Sequence, residues 1–110
     1  MAVTEEDIAF IRDLFGPLGI TTRKMFGGLG IYSGGQIFAV LDSTGILYIK
    51  ARDALAEDLA AEGASQFTPS MTDKSGKTRS GAMPYWSLPE AALDDPEEAV
   101  HWARRSLEEN

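Results

Sequence analysis

Closely spaced glycine turns divide the first half of the chain into short segments rich in β-branched and aromatic residues. Turns of this kind join neighbouring antiparallel strands, so the pattern predicts a sheet of consecutive hairpins with three or four strands. The turns are Gly27-Gly28, Gly34-Gly35 and 42–45, and the strand-like runs are 21–26, 29–33, 36–41 and 46–51.

The third of these runs is apolar on both of its faces. In a regular strand, Ile37, Ala39 and Leu41 share one face, and Phe38 and Val40 share the other. A strand that is apolar on each side is typical of the middle of a sheet that is covered on both faces.

Helical patterns flank the strands. Thr4 is placed to cap a first helix, a second helix spans 53–62 and ends at Gly63, and a third begins after Asp94-Asp95. The sequence therefore predicts an α+β fold in which helices flank an antiparallel sheet. The expected order is α-β(3-4)-α-β(2)-α.

The two later strands of this order are shorter. One begins at Phe67-Thr68 and is cut by Pro69, and the other spans 82–88, where Pro84 indicates a sheet edge or a bulge. Between them, 72–81 contains no apolar residue and is expected to be an exposed loop.

Length and composition exclude several classes of protein. With 110 residues, the chain is expected to form a single domain over 1–110, and the lack of cysteine excludes disulfides and thiolate chemistry. No leader or membrane-spanning pattern occurs in the sequence, so we expect a soluble cytoplasmic protein. The net charge of −7 disfavours direct binding to DNA, since phosphate contacts supply most non-specific affinity.

No motif in the sequence predicts a catalytic, cofactor or metal site. His101 is the single histidine and is interpreted as a solvated helix residue. The glycines at 27–30 match no phosphate-binding pattern and are interpreted as a turn or bulge where backbones approach closely.

Two groups of residues are candidates for contacting a partner. Tyr85 and Trp86 are adjacent on a strand, so they point to opposite faces: one is expected in the core and the other is a candidate interface anchor. The second group is basic and consists of Arg23, Lys24, Lys74, Lys77 and Arg79. These residues form one patch only if the fold brings the loop that carries the last three beside the first strand.

Several blocks of the sequence resemble a known family. They are R-K-M-F-G-G-L-G-I-Y at 23–32, L-Y-I-K at 47–50, M-P-Y-W-S-L-P at 83–89, and the acidic connector and helix at 94–107. Together they resemble the N-terminal domain of the TfoX/Sxy competence regulators of bacteria. The resemblance implies a secretion-chaperone-like α+β fold. It also implies a co-regulator that works with the cyclic-AMP receptor protein at promoters. Those regulators carry a second, C-terminal domain, and we expect this protein to consist of the first domain alone.

These observations favour a non-enzymatic regulatory module that binds a protein partner, such as a transcription regulator. A second interpretation is a chaperone-like or self-associating module, and a homodimer is compatible with the resemblance. A third is a small-ligand protein or enzyme whose pocket forms only in the fold.

Overall fold

The computed structural model describes residues 3–25, 27–68, 70–72, 76 and 78–109. In this part of the chain, three α-helices enclose two runs of strands, four strands after the first helix and three after the second. The α+β class and the broad order expected from the sequence are confirmed. The helices are α1 (Glu5–Leu14), α2 (Asp53–Ala61) and α3 (Pro96–Glu109). The strands are β1 (Thr21–Met25), β2 (Gly28–Ser33), β3 (Gln36–Leu41), β4 (Leu47–Lys50), β5 (Ser70–Thr72), β6 (Thr78–Ser80) and β7 (Tyr85–Ser87).

The main sheet is antiparallel and has the strand order β1-β2-β3-β4-β7. The first four strands are the predicted hairpins, and β7 returns to pair with β4 after the chain has passed through α2. Strand β7 is the last strand of this sheet, as Pro84 indicated. Its outer edge is partly paired, because the N–H of Phe67 donates to the Tyr85 carbonyl at 2.9 Å and that of Ser87 donates to the Ser65 carbonyl at 2.9 Å.

A β-bulge in β3 changes which residues share a face. Ile31 pairs with Ala39 and Tyr32 pairs with Ile37, so Phe38 is the extra residue between them. The expectation that Ile37 shares a face with Ala39 was therefore wrong. The bulge turns Phe38 towards the helices, where its ring meets the edge of Phe15 with the centroids 5.2 Å apart.

The helices cover one face of the main sheet. Helix α3 packs on β3 and β4, α2 packs beside β7, and both α1 and α2 contact α3. The largest fully buried apolar side chains of the shared core come from α1 and its C-cap residue, from α2 and from the strands: Ile11, Phe15, Leu29, Ile31, Phe38, Ile49, Leu55 and Leu59. Removing these apolar side chains from water is the main stabilising contribution to the fold.

The predicted helix ends are confirmed by local hydrogen bonds. The Asp7 N–H donates to the Thr4 hydroxyl at 3.2 Å, and the Thr4 N–H donates to the Asp7 carboxylate at 2.9 Å, which is a capping box. Asp95 accepts from the N–H of Glu97 at 3.2 Å and so caps α3. Gly63 follows α2 with a left-handed φ of 88°.

The expectation of a loop over 72–81 was wrong in part. Strands β5 and β6 form a separate two-stranded antiparallel ribbon, in which Ser70 pairs with Ser80 and Thr72 with Thr78. Threonine favours extended backbone, and Gly76 between the strands has a φ of 83°, which a glycine adopts without steric cost. A ribbon can therefore form without an apolar residue in the turn.

Candidate functional site

The candidate site is the face of the main sheet opposite the helices, which we call the open sheet face. Strand pairing defines it, because directly paired residues project to the same side. One row of paired residues crosses the whole sheet on this side: Arg23, Gly30, Val40, Tyr48 and Ser87. Two further rows lie on the same side. One consists of Thr21, Tyr32 and Ile37, and the other pairs Lys50 with Tyr85.

A glycine shapes the middle of the β1–β2 hairpin. A Cβ atom built on Gly30 would lie 2.6 Å from Cε of Met25 and 3.1 Å from Cε1 of Tyr32. Both side chains therefore lie flat over the backbone of Gly30. The guanidinium carbon of Arg23 lies 6.0 Å from the centre of the Tyr32 ring, which is within the range of a cation–π contact.

A second aromatic cluster lies towards β7. The rings of Tyr48 and Phe67 are 4.6 Å apart between centroids, with the planes inclined by 40°. Strand β7 lies between β4, which carries Tyr48, and the segment 65–67, which carries Phe67. Burial raises the pKa of the Tyr48 hydroxyl above 10.0, and the neighbouring carboxylate of Asp42 raises that pKa further.

Tyr85 connects this cluster to the basic residues. Burial is the main cause that raises the pKa of Tyr85; the nearby Tyr32 raises it further, and the positive charge of Arg52 lowers it. Tyr85 and Tyr32 are both half-buried, so part of each ring is accessible to a partner.

The two sides of the molecule differ in charge. The open sheet face and its margin carry Arg23, Lys50 and Arg52. The carboxylate of Asp42 faces its own turn, where it accepts from the N–H groups of Thr44 and Ile46, each at 2.9 Å. The helices carry most of the acid: Glu5, Glu6, Asp7, Asp13, Asp53, Glu57, Asp58, Glu97, Glu98, Glu108 and Glu109. The sheet side is therefore cationic and the helix side anionic.

The structure separates the residues that the sequence proposed as partner contacts. Arg23 and Tyr85 lie on the open sheet face, whereas Lys24 pairs with a core residue of β2 and projects to the helix side. Trp86 packs against the core, as expected for one member of the aromatic pair. Lys74 and Lys77 lie outside the described residues, as does the side chain of Arg79, whose backbone belongs to β6.

Some residues of the site were missed by the sequence reasoning. Tyr32, Val40 and Tyr48 were assigned to strands but not to a surface, because their common face emerges only from the register across β2, β3 and β4. The alternation of Tyr48 and Lys50 with buried Leu47 and Ile49 was the available signal.

The two motifs that could have carried chemistry have structural explanations. A Cβ atom on Gly28 would collide with the carbonyl oxygen of Leu41, so the glycines mark the close backbone approach that was expected. His101 is exposed on α3, and its ring lies 5.5 Å from that of Trp102. Among the described residues, no group of three or more histidine, cysteine or acidic side chains is placed to hold a metal ion.

The described helices contain no stretch that is both long and apolar enough to cross a lipid bilayer.

The family model for the TfoX N-terminal domain matches residues 13–110. The chain belongs to the TfoX N-terminal domain family. A comparison with curated protein sequences finds no significant match. In this TfoX N-terminal domain, the R-K-M-F-G-G block supplies the end of β1 and the start of β2, and the M-P-Y-W block supplies the start of β7. The two blocks therefore lie at opposite margins of the open sheet face.

Proposed function

We propose that this TfoX N-terminal domain is a non-enzymatic regulatory module that binds another protein through the open sheet face. The observation that carries the proposal is the half-buried aromatic and aliphatic surface around Tyr32, Val40 and Tyr85, on the side opposite the helices. Membership of a family named after a competence regulator supports a regulatory role.

The composition of this surface suits a protein partner. Tyrosine and arginine are enriched in protein interfaces and supply much of their binding energy, and Arg23 already lies over the ring of Tyr32. A rigid sheet holds these side chains in place before binding, which lowers the entropy lost on association.

The same charges argue against nucleic acid as the direct partner. The whole chain has a net charge of −7, and the described part of the open sheet face carries only a few cations. Binding to a duplex needs several phosphate contacts to offset the repulsion. Any action at a promoter would therefore pass through a bound transcription regulator.

The test is a nuclease-treated pull-down from the native cell lysate, with bound proteins read by mass spectrometry. Three baits are compared: wild type, Arg23→Glu with Tyr32→Ala on the open sheet face, and Arg12→Glu with Phe10→Ala on α1 as the matched control. Phe10 is an exposed aromatic residue on the opposite layer, with 42% of its surface accessible. Circular dichroism confirms that each bait is folded.

We expect a regulatory protein to be recovered with the wild-type and control baits and lost with the open-face bait. Equal recovery with all three baits would contradict the proposed surface. Recovery of the chain itself and nothing else would contradict the proposal and support the chaperone-like or self-associating alternative.

A further inference from the structure

The two edges of the main sheet are not equivalent. The outer edge of β7 is partly closed by 65–67, through the hydrogen bonds of Phe67 and Ser87 and a bridge between Gln66 and Trp86. At the other end of the sheet, no strand within the described ranges pairs with the outer edge of β1. A sheet edge of this kind presents a row of backbone donors and acceptors to another chain.

Strand β1 is also a regular strand. Its five residues pair in an unbroken register with β2, from Thr21 opposite Tyr32 to Met25 opposite Gly28, and it contains no proline. Natural edges that must stay unpaired are commonly shortened, bulged, interrupted by proline or charged. Strand β1 has only the last of these features, two successive exposed cations at its centre, Arg23 and Lys24.

The charges decide what can pair with β1. A second copy adding antiparallel through its own β1 would bring Arg23 and Lys24 opposite the same residues, and like charges opposite each other destabilise a strand pair. A nucleic acid lacks the repeating peptide groups that extend a sheet. An extended acidic peptide supplies both the backbone hydrogen bonds and the complementary charge.

We propose that β1 receives an extended acidic segment of the partner protein as an additional strand. Arg23 and Lys24 project to opposite faces, so carboxylates on two successive residues of that segment would meet them in turn. This inference rests on the proposed function, because Arg23 lies both on β1 and on the open sheet face.

The test uses three capped synthetic hexapeptides added to isotope-labelled protein and followed by the amide signals in NMR spectra. The probe is Thr-Val-Glu-Glu-Val-Thr. One control replaces both glutamates with lysine, and the other keeps the glutamates but N-methylates their backbone nitrogens. The first control tests the charge, and the second tests whether backbone hydrogen bonds are made.

We expect the acidic peptide to shift the amide signals of 21–25 while those of 85–87 stay in place. Both control peptides should bind at least roughly tenfold more weakly, since each loses either the ion pairs or the strand hydrogen bonds. The variant Arg23→Glu with Lys24→Glu should prefer the lysine peptide, whereas Arg104→Glu on α3 should keep the wild-type preference.

An unchanged β1 spectrum at saturating acidic peptide would overturn the proposal, and so would equal binding of the N-methylated peptide. These results are separable from the pull-down. If the open-face bait loses its partner but the peptide does not bind β1, strand addition is wrong and the open sheet face stands. If the peptide binds β1 but all baits recover the same proteins, neither the open sheet face nor β1 is the site of those proteins, because the open-face bait also carries Arg23→Glu on β1.

Discussion

The two faces of one sheet have different physical roles in this protein. On the helix side, Leu29, Ile31 and Ile49 are fully buried in a hydrocarbon core. On the open side of the same sheet, Tyr32 and Val40 are only half-buried, and the guanidinium of Arg23 lies over the Tyr32 ring. Because side chains alternate along a strand, three neighbouring strands can stabilise the fold with one face and present a recognition surface with the other.

The difference also shows in how tightly each face constrains its side chains. Behind the core face, α3 is held by a buried hydroxyl, since Ser106 donates to the Lys50 carbonyl at 2.6 Å. On the open face, Met25 and Tyr32 lie over Gly30 with solvent on their outer side. Substitutions on the two faces should therefore separate stability from binding.

The largest expected contrast is between two aromatic residues. Phe38→Ala should lower the free energy of unfolding by about 3–5 kcal/mol, because it leaves a cavity in a fully buried site. Tyr32→Ala on the open face should cost only about 1 kcal/mol, since its ring is already half-solvated. Urea unfolding measures both, and equal losses would contradict the division between the two faces.

Next in size is a pair of glycines on the same strand. Gly28→Ala should cost about 1–3 kcal/mol, because the new methyl group meets the fixed carbonyl oxygen of Leu41. Gly30→Ala should cost less than about 1 kcal/mol, since it displaces the flexible end of Met25. Thermal unfolding compares them, and a larger loss for Gly30→Ala would show that the side chains of Met25 and Tyr32 cannot move aside.

A smaller effect is expected for the hydroxyl that links α3 to the sheet. Ser106→Ala should lower stability by about 1 kcal/mol, because a buried hydrogen bond to the Lys50 carbonyl is lost. The control Ser33→Ala removes a part-buried bond to the Leu18 carbonyl, 2.9 Å long, and should cost less. A larger loss of stability for Ser33→Ala than for Ser106→Ala in chemical denaturation would contradict the importance assigned to the Ser106 hydrogen bond.

The smallest effect is a dependence on alkaline pH. Burial raises the pKa of Tyr48 in the folded state above 10.0, so between the two pKa values the native state holds a proton that the unfolded state has released. This contribution to stability is complete below pH 10.0 and is lost as the pH rises above it. Urea midpoints at about pH 9 and about pH 11 should fall less in Tyr48→Phe than in wild type. Equal falls of the urea midpoint in the two proteins would contradict the raised pKa of Tyr48 in the folded state.

Much of the fold follows from local sequence. The turn glycines, the Thr4 cap and Gly63 act through the conformation of their own few residues, so their roles could be predicted without tertiary contacts. The ribbon β5–β6 was not predicted because Met71 is its single apolar residue and gives no alternating pattern, so only the pairing between the strands reveals it.

The candidate site depends on non-local pairing and was therefore predicted only in part. The bulge at Phe38 changes the register of β3, and no turn residue announces it. Likewise, Tyr85 reaches the open face because β7 pairs with β4, a contact between segments far apart in the chain. The pattern identified Tyr85 and Arg23 as candidates, but it could not show that Lys24 and Trp86 project to the other side.

The most direct test of the central claim is site-specific photo-cross-linking in the native lysate. A benzoylphenylalanine replaces Tyr32 on the open sheet face in one protein and Phe10 on α1 in another; each replaces an aromatic residue with an accessible ring. We predict that the probe at position 32 becomes linked to a partner protein and that the probe at position 10 does not. Cross-links to a partner from position 10 alone would place the interface on the helix layer and contradict the account.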